Sequence, residues 1–365
     1  METDGMSRTR TQRSTVYDVA QLAEVSYQTV SRVINGHVSV SASTRSRVLK
    51  IICEVNYQPN VVARSLVTNN SSILGLLLSD PERYGMAQVT QNVERRAREH
   101  GYEIILNSQT TNKPEELVAA IHRMGQFGVD GLILLTPSAA EEVTTSLPNS
   151  SPVVVINAAS DLTCTTVNFD HVAGRTLATE HLIHLGHRRI LHVSGPSTWS
   201  DADRRYQGYL QALRTHDLPE GPRLEGDWSA LAGYHAVCQA LEDRFDFTAV
   251  FAGNDQMALG AIAALRGAGL TVPGDVSVVG FDDSPESDFF MPGLTSVRQD
   301  FALLGRTSVD ELIHMLAVPG GEPRHVMFQP YLIERTSTSR APTLMPSSRQ
   351  HPDGPLPRMK KRACR

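Results

Sequence analysis

Cysteine is scarce in this 365-residue chain: Cys53, Cys164, Cys238 and Cys364 stand far apart, with no CxxC and no paired spacing. That excludes a disulfide framework and the usual thiolate zinc sites. Long apolar runs are missing too. Ile73 to Leu78 and Leu132 to Leu135 are strand-length, far short of the ~20 residues that span a bilayer, so no membrane association is expected. The first fifteen residues contain no apolar stretch with a small-residue cleavage site, which makes a cytoplasmic location the expectation. Catalytic signatures are equally absent: there is no GxSxG, no P-loop lysine motif and no Rossmann glycine triplet after the first strand. His181, His184 and His187 fall at a helix end, where imidazole complements the dipole, and are not read as metal ligands. Asp282 and Asp283 are neighbours on a strand end and point to different sides, so they do not make an acid/base pair. No enzyme, no cofactor and no metal are expected.

What is present is a chain with 41% hydrophobic and 20% charged residues, enough for two or three globular units. Charge is uneven. Residues 1–70 hold eight Arg/Lys against five Asp/Glu, a balance of +3 within a chain at −5, so the remainder carries −8. A small basic unit before a large acidic one suits a polyanion-binding head, although ordinary surface variation produces such asymmetry as well.

The N-terminal pattern is helical. Thr15 and Asp18 have capping-box spacing, and Val16, Val19, Ala20 and Ala23 recur at helical intervals, predicting a helix over 16–23. Glu24-Val25-Ser26 breaks it. Ser26 caps a second helix from Tyr27 to Ile34, stopped by Asn35-Gly36, and Ser41 caps a third that runs to about Val55. At ~100° per residue, Gln28, Ser31 and Arg32 share one face of the second helix with Tyr27 at its edge, while Val30, Val33 and Ile34 share the other. One face packs and the other offers donors. Residues 15–58 therefore read as a three-helix unit, and 59–71 as a hinge containing a short segment too small to be a stable helix alone. Residues 1–14 are polar and expected to be disordered.

From Ile73 short β-rich runs alternate with amphipathic helices. Strands are predicted at Ile73–Leu78, Tyr102–Leu106, Gly131–Leu135 and Val153–Ile156, then at Arg189–Val193, Thr248–Phe251 and Val276–Phe281, with helices between. Two βα series mean two parallel-sheet lobes over 72–335 with a ligand cleft at their carboxyl ends. The fold class is α/β with an all-α head. Residues 336–365, rich in Pro, Ser and basic residues, are expected to form a disordered tail.

The string YDVAQLAEVSYQTVSRVINGHVSVSASTRSRV, followed by NYQPNVVARSL, resembles the headpiece and hinge of the lactose-repressor/galactose-repressor (LacI/GalR) family of bacterial regulators. The resemblance continues to about Arg335 through EGDWSALAGY, AGNDQMALGAI, VSVVGFDD and LTSVRQDFALLGRTSVDELI. It implies a helix-turn-helix head and a type I periplasmic-binding-protein-like sensor. It also implies base reading by Tyr27, Gln28, Ser31 and Arg32, with further DNA contacts from Thr44, Arg45, Asn60, Ala63 and Leu66, the last as a minor-groove wedge. Arg45 is assigned to a phosphate. One departure is Glu24, where the family commonly carries Gly; if that position needs φ > 0, Glu strains the turn by about 1 kcal/mol.

By motif match, Arg205, Trp228, Asn254 and Asp282 correspond to effector-binding residues. The chemistry suits a pyranose: Asp282 accepts, Arg205 donates, Asn254 does both, and Trp228 covers the apolar ring face. Blander readings exist, because Asn and Asp after a strand often cap the next helix and a Trp after Gly-Asp often packs a lobe. The expected function is a transcriptional repressor, a homodimer on a pseudo-palindromic double-stranded operator, released by a sugar inducer. A galactoside is the first choice, although Ser79 to Gly85 do not match the expected first-lobe pocket. A ligand that tightens DNA binding instead, and a solute-binding protein, are the alternatives. Ala341 to Arg365 hold five prolines and no heptad, so no tetramerising helix is expected.

Overall fold

The computed structural model describes residues 14–34, 37, 39–57, 70–109, 113–136, 140–147, 152–158, 162–197 and 199–342. It divides into two compact units, residues 1–71 and 72–365.

The first unit contains α1 (Val16–Leu22), α2 (Tyr27–Ile34) and α3 (Ala42–Glu54). The capping box forms as the sequence requires: Thr15 N donates to Asp18 Oδ2 at 2.7 Å, and Asp18 N donates to Thr15 Oγ1 at 3.3 Å. Those two bonds satisfy donors that the first turn would otherwise leave without partners, and they hold the Asp18 carboxyl below its usual range. Ser26 and Ser41 cap α2 and α3 by accepting from Thr29 N and Thr44 N, each at 3.2 Å. Val19, Ala20, Ala23, Val30, Val33 and Val48 make one small core, the apolar face read from the period. Glu24 has φ 50°, so the strain expected of a glutamate in this turn is present. Asn35, Gly36 and the hinge positions 58–69 lie outside the described residues.

The second unit has two six-stranded sheets. The first follows the order β11-β5-β4-β3-β1-β2 and the second β12-β10-β9-β8-β6-β7. The strands are β1 (Ile73–Ser79), β2 (Glu103–Gln109), β3 (Gly131–Leu135), β4 (Val153–Ile156), β5 (Thr165–Phe169), β6 (Ile190–Ser194), β7 (Arg223–Glu225), β8 (Ala249–Ala252), β9 (Ser277–Asp282), β10 (Thr295–Arg298), β11 (His325–Phe328) and β12 (Tyr331–Ile333). Every pairing is parallel except β10 with β12. The central strands are almost wholly buried, which is why they read as continuous Leu/Ile/Val runs. Helices α4 (Tyr84–Glu99), α5 (Pro114–Gln126), α6 (Ala140–Thr145), α7 (His171–His184), α8 (Ser200–Thr215), α9 (Ala230–Glu242), α10 (Asp255–Gly267) and α11 (Phe301–Ala317) connect them. After β10 the chain returns to the first lobe through α11, which packs on α4 and on β3 to β5, and through β11; it then crosses back as β12. No helix among the described residues is long and apolar enough to cross a membrane.

The tail expected from 336 does not begin there. Thr336 N donates to the Gly293 carbonyl at 3.0 Å, Ser337 is fully buried, its carbonyl accepts from Val278 N at 2.9 Å, and Ala341 N donates to the Leu185 carbonyl at 2.8 Å. Polar composition hid this, because the segment is held by hydrogen bonds to the lobe and not by apolar side chains. Residues from 343 onward lie outside the described part.

Candidate ligand cleft and DNA-reading face

A cavity of about 430 Å³ opens between the two lobes of the sensor unit. Its walls come from the carboxyl ends of strands in both sheets. From the first lobe, Leu135 ends β3, Asn157 follows β4, Glu82, Arg83 and Tyr84 lead into α4, and Phe301 starts α11. From the second, Trp199, Trp228 and Asn254 follow β6, β7 and β8, Asp282 ends β9, and Asp201 and Arg205 project from the first turns of α8. The four residues expected from the sequence, Arg205, Trp228, Asn254 and Asp282, are thus brought into one wall. Ligand sites in open α/β sheets favour this edge because successive strands leave a crevice there.

Within that wall the roles divide. Asp282 is buried, with φ 100°. Its Oδ1 accepts from Gln299 Nε2 at 3.2 Å and lies 3.8 Å from Arg205 Nη2. Burial outweighs the guanidinium and pushes its carboxyl up to about 7. The neighbouring Asp283 turns elsewhere, pairing with Arg298 and with Arg335, as expected for adjacent residues on a strand end. Arg205 donates through Nη1 to the Gly253 carbonyl at 3.0 Å and stacks on Phe281 and Trp228, 4.5 and 5.2 Å from their ring centres. Arg175, fully buried beneath, donates to the same carbonyl at 2.8 Å and stacks on Phe251 and also on Phe281. A cation–aromatic stack thus backs this wall of the cleft.

Asn254 does what the blander reading allowed. Its Oδ1 accepts from Met257 N at 2.9 Å as the cap of α10, and its Nδ2 donates to the Trp228 carbonyl and to Gln256 Oε1, each at 3.0 Å. It lines the cavity while holding Trp228, whose φ is 71°. The Trp228 indole N–H is buried without an acceptor among the described residues.

Sequence reasoning missed several wall residues. Trp199 meets Trp228 edge to face at 5.7 Å, and Tyr84 meets Phe301 likewise at 5.8 Å. Burial, helped by the Asp282 carboxylate, pushes the Tyr84 hydroxyl up to about 12. Asp201, also buried, lies 3.4 Å from His171 Nε2, and burial raises its carboxyl above the usual range. His171 is driven well below the usual imidazole range by burial and by the surrounding arginines, Arg205 foremost, so it is neutral. Trp199 and Asp201 could have been found from their place just after a predicted strand. Tyr84 and Phe301 needed the fold.

The three histidines find separate partners: His181 meets Thr338 Oγ1 at 3.0 Å, His187 meets Thr248 and Ser277 at 2.9 and 3.0 Å, and His184 packs on His216. Among the described residues no group of three or more His, Cys, Asp or Glu could hold a metal ion.

In the head, Tyr27, Gln28, Ser31 and Arg32 are exposed, while Val30 and Val33 are buried. The Tyr27 ring leans on Tyr17 at 5.7 Å. Thr44 and Arg45 are half-buried at the start of α3, where Arg45 Nη2 donates to the His37 carbonyl at 2.6 Å. Asn60, Ala63 and Leu66 lie outside the described residues.

A three-helix head with one polar recognition face and a two-lobed body with a cleft at its strand ends define a ligand-responsive DNA-binding regulator. Comparison with known proteins agrees. Residues 15–60 match the model of bacterial regulatory proteins of the lacI family, and residues 179–338 that of the periplasmic binding protein-like domain. The lactose operon repressor of Escherichia coli (strain K12) is 35% identical over 92% of this chain and 93% of its own length. The repressor PurR of Salmonella newport (strain SL254) is 34% identical over 90% of this chain and 98% of its own length. Among solved structures, the Lac repressor dimer bound to operator and the anti-inducer ONPF superposes with a TM-score of 0.85 at 34% identity, covering 90% of this chain and all of that one. The complex of the regulator CelR with cellobiose has a TM-score of 0.67 at 31% identity, covering 89% and 100%. The chain belongs to the LacI family of bacterial regulatory proteins: it is a DNA-binding transcriptional repressor with a ligand-binding sensor domain.

Proposed function

We propose that this repressor acts as a homodimer on a pseudo-palindromic operator, and that a sugar binding between its lobes lowers operator affinity. The observation that carries the sugar reading is the composition of one wall. A carboxylate (Asp282), a guanidinium (Arg205) and an unsatisfied indole N–H (Trp228) surround an aromatic surface in a cavity of about 430 Å³, a size in the usual range for small-molecule sites. Hydroxyls of a pyranose take both donors and acceptors, and its C–H face suits the indole. Asn254 contributes by placing Trp228. The cellobiose complex of the relative CelR supports a saccharide, and a galactoside is the first candidate.

In this reading Tyr27, Gln28, Ser31 and Arg32 meet base edges, Arg45 meets a phosphate, Leu66 acts at the operator centre, and Thr44, Asn60 and Ala63 make further DNA contacts. The dimer follows the Lac repressor dimer; light scattering should give the mass of two chains, and a mass near four would contradict it. The deciding experiment is a mobility shift on operator DNA with lactose, cellobiose and o-nitrophenyl galactoside. Weaker binding with any of them supports induction, tighter binding reverses the sign, and no change with a sugar shown to bind refutes the coupling. Linkage requires operator DNA to weaken sugar binding by the same factor.

A further inference from the structure

One side chain ties the two lobes together beside the cleft. Arg204, on α8 of the second lobe, donates through Nη1 to the Ala158 carbonyl and through Nη2 to the Asn157 carbonyl, each at 2.6 Å. Both acceptors belong to the segment leaving β4 of the first lobe. Asn157 has φ 56°, and this left-handed turn lets two successive carbonyls converge on one guanidinium. The turn is held from its own lobe: Ala158 N donates to Asn168 Oδ1 at 2.9 Å, and Asn157 Oδ1 accepts from Phe169 N at 3.4 Å. From the other side, Asp201 Oδ1 accepts from Arg204 Nη2 at 3.3 Å. Asp201 and Asn157 line the cavity, whereas Arg204 does not.

We propose that Arg204 is an interlobe clasp, a positioning residue that sets the width of the cleft, with Asp201 as the link through which an occupant of the cleft reaches it. A planar guanidinium suits the task because its fork engages two carbonyls and a carboxylate at once, which a lysine ammonium cannot do in the same geometry. A ligand hydroxyl that donates to Asp201 draws on the same carboxylate that orients Arg204, so occupancy and lobe closure share one group. This second half rests on the ligand reading of the cleft; the clasp itself does not.

The chain has only two tryptophans, Trp199 and Trp228, and both line this gap. Acrylamide quenching of the ligand-free, full-length protein therefore reports cleft width directly. Loss of both cross-lobe bonds in Arg204→Ala should move the open–closed balance by at least roughly tenfold and raise the quenching constant on the order of twofold, with a red-shifted emission. Arg204→Lys, able to reach one carbonyl, should fall between that variant and the wild type. A cooperatively melting Arg204→Ala with wild-type quenching and emission overturns the clasp. Should Arg204→Ala fail to fold, Arg204→Lys decides in its place, wild-type quenching again being the contrary result. Calorimetric titration of the wild type with cellobiose and o-nitrophenyl galactoside is a separate arm: its failure counts against the sugar reading and leaves the quenching result standing.

Discussion

Trp228 lies across Gly195 so closely that a Cβ at position 195 would fall 2.0 Å from the indole Cζ2 and 2.1 Å from Cη2. The ring cannot give way easily, because the Trp228 carbonyl is held by Asn254 and the ring edge meets Trp199. The wall of the cleft is thus set by the absence of a methyl group on the neighbouring strand end.

Gly195→Ala should therefore displace Trp228. Overpacking of this kind costs about 1–3 kcal/mol, read as a lower denaturation midpoint. The two-tryptophan emission should change with it, and affinity for any sugar that binds the wild type should fall. Unaltered emission and stability would show that the indole is not confined as described.

The contribution of two buried carboxyls to stability should fall as pH rises between about 4 and 7, opposing that of the buried histidines, whose folded values lie below the usual range. Burial pushes Asp282 up to about 7 and Asp255 up to about 6, from an ordinary value of 3.8. A carboxyl whose folded pKa lies above its unfolded one keeps its proton longer in the native state. Its contribution is complete below the unfolded value and is lost as pH climbs through the folded value. Asp282→Asn removes one of these groups, so its melting temperature should decline less between pH 5 and pH 7.5. An equal decline in both proteins would contradict the assignment.

Glu24→Gly should stabilise the head by about 0.5–1 kcal/mol, since the left-handed strain at φ 50° exceeds the added freedom of the unfolded chain. Removal of a carboxylate beside α2, the helix proposed to read DNA, should also strengthen binding to any duplex at low salt. Chemical unfolding and fluorescence anisotropy check the two effects separately.

Arg32→Ala and Arg45→Ala should differ in kind. Loss of a base-reading guanidinium should cost about 1–3 kcal/mol on the preferred operator and relax the choice of sequence, whereas loss of a phosphate contact should weaken all duplexes alike and flatten the salt dependence. Competition binding with specific and random duplexes distinguishes them. Equal relaxation in both variants would place neither residue at the bases.

Much of the architecture was legible because it is written between near neighbours. The caps at Thr15, Ser26 and Ser41, the polar and apolar faces of α2, and the alternation of buried strands with amphipathic helices depend on residues a few positions apart; the seven strands predicted were recovered within about three residues, whereas β5, β7, β10, β11 and β12 were not predicted. The wall positions Arg205, Trp228, Asn254 and Asp282 were legible from the resemblance of their motifs to the family's, and Asn254 and Asp282 also from their place after predicted strands.

What the sequence by itself determined, then, is a head whose second helix presents Gln28, Ser31 and Arg32, and a body of two βα series with a crevice at the strand ends. The tertiary structure alone decided that α11 and β11 return to the first lobe, that residues 336–342 are pinned to the second, and that Tyr84, Phe301 and Trp199 complete the cleft. It also decided that Asn254 donates to the Trp228 carbonyl, and that Arg204 reaches across to Asn157 and Ala158. These are pairings between groups 26 to 217 positions apart, where periodicity carries no signal; the partner is chosen by which surfaces the packed sheets bring into contact.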